Sequence, residues 1–258
     1  MTFISIPLVV LLLLPWCVAA GGRHQTEFLR ACRANDPVAA RAAYVAGGGA
    51  GGSVDVDARE AGSGQSALMA SVLAGADRSV RMLLSDEFGA DASVAEKDGY
   101  TPMHGAGFQG RAAIASLLLK HGLAADDVHS GDGLTPLWRT TWGREKRHFD
   151  TAKTLIQEGK ANVNFVTANA HAGQPHNPLT SAVQRHHIRV IELLLKNGAD
   201  ANVANPVDGN TALHFALNLG GHPELVKILI ELGGADPNIK NNVGESGRDL
   251  MKKMKMDM

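Results

Sequence analysis

The sequence predicts an all-α solenoid of stacked helix-turn-helix units carrying β-hairpin-like finger loops, and three observations predict it. A cassette, Thr101, Pro102, Met103, His104, recurs in altered form with anchors at Ser66, Thr101, Thr135, Asn177, Thr211 and Ser246, in steps of 35, 34, 42, 34 and 35 residues. An interval in this range means stacked repeats. A glycine stands two residues before most anchors (Gly64, Gly99, Gly133, Gly209, Gly244), and a second glycine closes the units, as in Gly198, Ala199, Asp200 and in Gly234, Ala235, Asp236.

Each anchor is a stop-start signal. Its side-chain oxygen can accept from a backbone N–H in the first helical turn, and Pro102, Pro136 or Pro178 then sits where no N–H is needed. The apolar residues that follow Thr101, namely Met103, Ala106, Ile114, Leu117 and Leu118, fall at helical spacing, and Gly122 ends the second helix. One helix pair cannot bury its apolar face alone, so stability must come from stacking on the next copy. The Asp-Gly-x-Thr-Pro-Leu-His-x-Ala type of opening and the Gly-Ala-Asp-x-Asn type of close resemble the ankyrin repeat. The resemblance covers residues 25–257, as about six repeats and a truncated C-terminal cap, with units starting near 25, 66, 101, 135, 177, 211 and 246.

Along the chain, Gln25 to Tyr44 has the helical pattern without a cassette, as a terminal capping unit should. Gly47 to Ser53 reads as a flexible glycine-rich loop, and Val54 to Arg59 as the first finger. In the second unit Ala67 and Met69 replace the proline and histidine, and the outer helix is expected at about Ser79 to Leu84. The fourth unit departs most: its cassette is Thr135, Pro136, Leu137, Trp138, and the charged turn from Arg144 to His148 is expected to point into solvent. An insertion from 165 to 176 accounts for the long step, and the chain ends in a truncated helix with Lys252, Lys253 and Lys255.

A net charge of −1 gives no field that argues for nucleic acid or an anionic membrane surface as a partner. Cys17 and Cys32 are the two cysteines, and Cys32 reads as a small buried apolar residue with no resolving thiol in reach. From Phe3 to Ala20 the chain carries no charge across 18 residues and ends in the small residues Val18, Ala19 and Ala20. Residues 1–20 therefore read as a cleaved signal peptide, which would send the chain into the secretory pathway as a secreted protein. The alternative is an uncleaved anchor, with Arg23, Arg30 and Arg33 holding the repeats on the cytosolic side of a membrane.

No Gly-rich phosphate loop, nucleophile elbow or His-Glu-x-x-His occurs, so neither an enzyme nor a cofactor is expected. His171, His176, His186 and His187 are a remote metal alternative, weakened by irregular spacing and the absence of a nearby thiol or carboxylate. His104 and His214 occupy the position where the resemblance implies a structural ring, bonded to the anchor hydroxyl and the next loop. It further implies a non-enzymatic, monomeric protein-interaction scaffold that binds through finger tips and the exposed side of the first helices. Carried over residue by residue, that surface comprises Lys97, Tyr100, Leu134, Asp208 and Asn210 at the tips, with Phe108, Gln109, Trp142, Gln184, Arg185, Asn218 and Leu219 in the groove. Trp142 is the ambiguous member: partner anchor, or core of a repacked fourth unit.

Overall fold

All six anchors stand immediately before a helix, and Ser66, Thr135, Asn177, Thr211 and Ser246 are N-caps with extended backbone. The structure is a computed structural model and describes residues 22–255. Where the sequence reads as one continuous array, the chain divides into two compact units after Pro102.

The first unit holds α1 (22–33), α2 (Pro37–Ala46), α3 (Ala67–Ala74) and α4 (Asp77–Leu83). Phe28, Leu68, Met69, Val80 and Leu83 are buried between them. Tyr44 and Phe88 close this core, with ring centroids 4.8 Å apart and Phe28 6.2 Å from each. Cys32 is fully buried and desolvation pushes its thiol up to about 12, so it is inert packing rather than a nucleophile. The α1–α2 turn also serves its neighbour. Asn35 is held at a φ of 57°, and its Oδ1 accepts from the N–H groups of Arg78 and Ser79, capping α4 where Ala76 cannot. The glycine-rich 47–53 segment is closed rather than loose, because both the N–H and the hydroxyl of Ser53 donate to the Gly47 carbonyl.

The second unit holds α5 (Pro102–Gln109), α6 (Ala112–Lys120), α7 (Pro136–Thr140), α8 (Lys146–Gln157), α9 (Pro178–Gln184), α10 (Ile188–Lys196), α11 (Ala212–Asn218), α12 (Pro223–Glu231) and α13 (Gly247–Lys253). The inner helices α7, α9, α11 and α13 are neighbours in order, and the outer helices α6, α8 and α10 pack one on the next. Between the layers lie Leu118, Leu137, Leu155, Leu179, Ile191, Leu194 and Leu213, all less than 2 % exposed.

The fingers are turns rather than strands. Among the described residues the one β-bridge joins Lys240 to Ser246. The fingers at Glu60, His129 and Asn205 are closed by main-chain bonds of one pattern, as in Asn205 N–H to Asn210 C=O and Gly209 N–H to Asn205 C=O, and those at Glu96 and Asn241 by a version one residue tighter. Gly209 has a φ of 74°, and a Cβ there would lie 2.7 Å from Asn242 Oδ1, so glycine is required by conformation and by the approach of the next finger. Asn and Asp side chains stitch successive units: Asn164 Oδ1 accepts from Asp200 N–H and Asn202 Oδ1 from Asp236 N–H, both at 2.8 Å. Their amides donate onward to the carbonyls of Gly198 and Gly234. Asn164 and Asn202 therefore form a hydrogen-bond ladder running along the last repeats of the stack.

One local expectation changes, and the long insertion finds its place. The stretch from Arg144 to His148 is not a solvated loop throughout: Lys146 begins α8, and His148 is buried with its ring over Gly143. Its Nε2 lies 3.1 Å from the Phe108 carbonyl. The 165–176 insertion is pinned to the next finger, since Asn205 Nδ2 donates to the carbonyls of His171 and Gln174 and Asp208 accepts from Gly173 N–H.

Candidate functional site

Successive inner helices end side by side, and their last residues form a strip along the second unit. Phe108 and Gln109 close α5, Trp142 follows α7, Gln184 and Arg185 close α9, and Asn218 and Leu219 close α11. Phe108 is 46 % exposed and Leu219 42 %, while Trp142 is half-buried. The indole resolves its own ambiguity by lying between the two expectations. Arg139 covers it at 4.6 Å, Arg185 stands over it at 5.5 Å, and the Phe108 ring meets it edge-on at 6.0 Å. Trp142 is thus a platform shared by two guanidinium groups, with Phe108 as the open aromatic above it.

The platform is built from below. Arg139 is buried and forms an ion pair with Asp132 in the preceding finger, and Asp132 also accepts a 2.8 Å bond from His129. Burial alone would push the Asp132 carboxyl up, but His129 and Arg139 outweigh it and hold it below the usual range. From above, the His148 bond to the Phe108 carbonyl fixes the end of α5. Gly143 leaves the only room that ring has: a Cβ there would lie 2.1 Å from the imidazole.

The finger residues belong to the scaffold more than to a display surface. Leu134, expected at a tip, is 9 % exposed, and its carbonyl lies 3.1 Å from His104 Nε2; the residue just before the cap faces the stack. Asn210 accepts from Asn241, and Asp208 accepts from Asn210 N–H and Gly173 N–H. Tyr100 is half-buried, and Lys97 is exposed.

The histidines divide in the same way. His214 Nδ1 accepts from Thr211 N–H and its Nε2 donates to the Glu245 carbonyl at 3.0 Å, which fixes the tautomer. In the fifth unit Thr180 takes this place in the capping box, and His176, fully buried one residue before the anchor, donates to the Val203 carbonyl instead. Burial lowers the affinity of His104 and His176 for a proton. His171, His176, His186 and His187 do not converge, and among the described residues no group of three His, Cys, Asp or Glu is placed to hold a metal ion. Sequence reasoning missed Arg139 and Arg189, because nothing in their local patterns separates a cation that stacks on an aromatic from one that is simply solvated.

The family model for ankyrin repeats matches residues 28–132, 68–167 and 143–241. The chain is 31 % identical over 157 residues to the nuclear factor NF-kappa-B p105 subunit of Gallus gallus, covering 59 % of this chain and 15 % of that protein. It is 29 % identical over 198 residues to palmitoyltransferase ZDHHC17 of Rattus norvegicus, covering 66 % of this chain and 31 % of that one. The chain thus spans less than a third of these relatives. The human ASB11 ankyrin repeat domain superposes with a TM-score of 0.66 at 23 % identity, over 86 % of this chain and 90 % of that one, a likeness of fold. With the family model covering most of its length, this chain belongs to the ankyrin-repeat family.

Proposed function

We propose that this chain is a non-enzymatic protein-binding scaffold whose contact surface is the strip of helix ends at Phe108, Trp142, Gln184, Arg185, Asn218 and Leu219. Ankyrin repeats are protein-interaction modules, and the observation that selects the strip is the exposed Phe108 ring set edge-on to a tryptophan flanked by two arginines. Aromatic and arginine anchors of this kind dominate binding energy at protein interfaces. The fingers offer little by comparison, because their polar groups are bonded to one another. Quantitative capture of cellular partners by the wild-type chain, Phe108→Ala and His104→Ala tests the reading. Phe108→Ala should lose partners with an unchanged melting temperature, and His104→Ala should lower melting. Retention of every partner by a folded Phe108→Ala chain would refute the strip.

We further propose that residues 1–20, which lie outside the described residues, are a secretory signal removed before Gly21, on the strength of their 18 uncharged positions. The competing arrangement is a membrane tether with the repeats facing the cytosol. Among the described residues no helix is long and apolar enough to cross a membrane. Sequencing the amino terminus of the chain made in cells separates the two, since a start near Gly21 excludes the tether and a retained Met1 excludes the signal.

A further inference from the structure

Beside the strip, the start of α8 and the α9–α10 turn enclose a cleft of about 450 Å³ lined by Gly143, Arg144, Glu145, Lys146, Phe149 and residues 185–190. Its charge is one-sided on a chain whose net charge is −1: Arg144, Lys146, Arg185 and Arg189 line it against the single carboxylate of Glu145. Glu145 is engaged by Arg147 and Lys146 by Asp150. No ion pair among the described residues involves Arg144, Arg185 or Arg189. Two of these three guanidiniums are instead laid over aromatic rings, Arg185 on Trp142 at 5.5 Å and Arg189 on Phe149 at 4.3 Å. Stacking of this kind orients a guanidinium while leaving its N–H edge open to an acceptor. Both ring nitrogens of His187 are shielded from solvent and without a hydrogen-bond partner. Burial, followed by the fields of Arg144, Arg185 and His148, pushes that imidazole below its ordinary value, the mark of a local positive potential.

We propose that this cleft receives carboxylate side chains of an acidic partner segment, paired with Arg144, Arg185 and Arg189, while an adjoining apolar residue of the same segment packs on Phe108 and Trp142. Arg185 joins the two halves, since it lines the cleft and also stands over the tryptophan. The proposal rests on the protein-binding reading above and deepens it by giving the partner segment a chemistry. Carboxylates suit the site because planar guanidiniums pair with them through two parallel bonds. Arg185 is partly buried, so a pair there is screened less than one at the exposed Arg144 or Arg189.

The test is fluorescence anisotropy with a labelled peptide of repeating Asp-Glu-Leu, measured against the full chain at low and at physiological salt. Its arms are a neutral Asn-Gln-Leu peptide, the same frame carrying phosphoserine in place of the acids, and a single-stranded oligonucleotide. The Asp-Glu-Leu peptide should bind, weakening with salt, and the neutral peptide should not. Arg144→Glu and Arg189→Glu, both at exposed positions, should each reduce affinity roughly tenfold, with Arg185→Glu reducing it further and Lys227→Glu on α12 leaving it unchanged. Circular dichroism and melting would show each variant folded. Equal binding of the oligonucleotide, or binding of the phosphorylated peptide alone, would overturn the carboxylate assignment. If the charge reversals leave binding intact while Phe108→Ala abolishes it, the cleft inference fails and the strip reading survives. If neither class of variant matters, both fail.

Discussion

The fingers and the strip of helix ends both face solvent, and they spend their polar groups in opposite ways. In the fingers, Asn164, Asn202, Asn205, Asp208 and Asn210 bond to backbone or side chains of the neighbouring turns, so the ladder is internally satisfied. Along the strip, Phe108 and Leu219 are open, and Arg185 lies on an aromatic face with no ion pair to a carboxylate among the described residues. A surface whose hydrogen-bonding capacity is already used holds a stack together. One that leaves apolar area and oriented cations uncovered is suited to a partner.

The sharpest way to break the comparison is the contact that joins its two sides, the pair between Asp132 in a finger and Arg139 beneath Trp142. Asp132→Asn removes the carboxylate paired with a buried guanidinium and should cost about 3 kcal/mol in urea denaturation, the low end of the range for such pairs because Asp132 is partly exposed. A cost below about 1 kcal/mol would show that solvent reaches Arg139 and that the platform is not rigid. Next in size, His104→Ala removes a buried ring and one of the two donors to the Leu134 carbonyl, the His129 N–H remaining, with an expected loss of about 2 kcal/mol. Asn202→Ala removes one rung of the ladder and should cost about 1 kcal/mol by the same measurement. Phe108→Ala should change stability by less than about 0.5 kcal/mol, because the ring is half exposed and stands at a helix end.

A pH titration adds a smaller effect. His104 and His176 are held below their ordinary values by burial, so the unfolded chain binds more protons than the folded one below about pH 6.5. Stability is therefore full above that value and should decline as pH falls from it toward the depressed folded values. Urea midpoints at pH 7 and pH 5.5 check the sign, and the decline should be smaller in a His176→Gln chain.

Much of the scaffold was legible because capping chemistry is local. An oxygen-bearing side chain followed by Pro or Ala and an apolar residue is enough to place Ser66, Thr135 and Asn177 at helix starts. Leu134 was misplaced because its carbonyl meets His104 on the preceding unit's inner helix, and His176 because its partner, the Val203 carbonyl, lies in the next finger. The 144–148 segment read as solvated on charge alone, yet His148 needed the space over Gly143 and a free carbonyl at the end of α5. The strip was visible as single residues by position in the repeat. The cation-aromatic layering was not, since Phe108, Trp142 with Arg139, and Arg185 are brought together only by stacking three units.

The central claim is that partners meet the strip and not the fingers, and site-specific photocrosslinking tests it most directly. A benzophenone side chain is placed at Phe108 in one chain and at the exposed finger residue Val207 in another, each in cells that make the natural partner. Adducts are expected from position 108, to be lost when Arg185→Glu is added, and none from position 207. Adducts from 207 with none from 108 would contradict the claim.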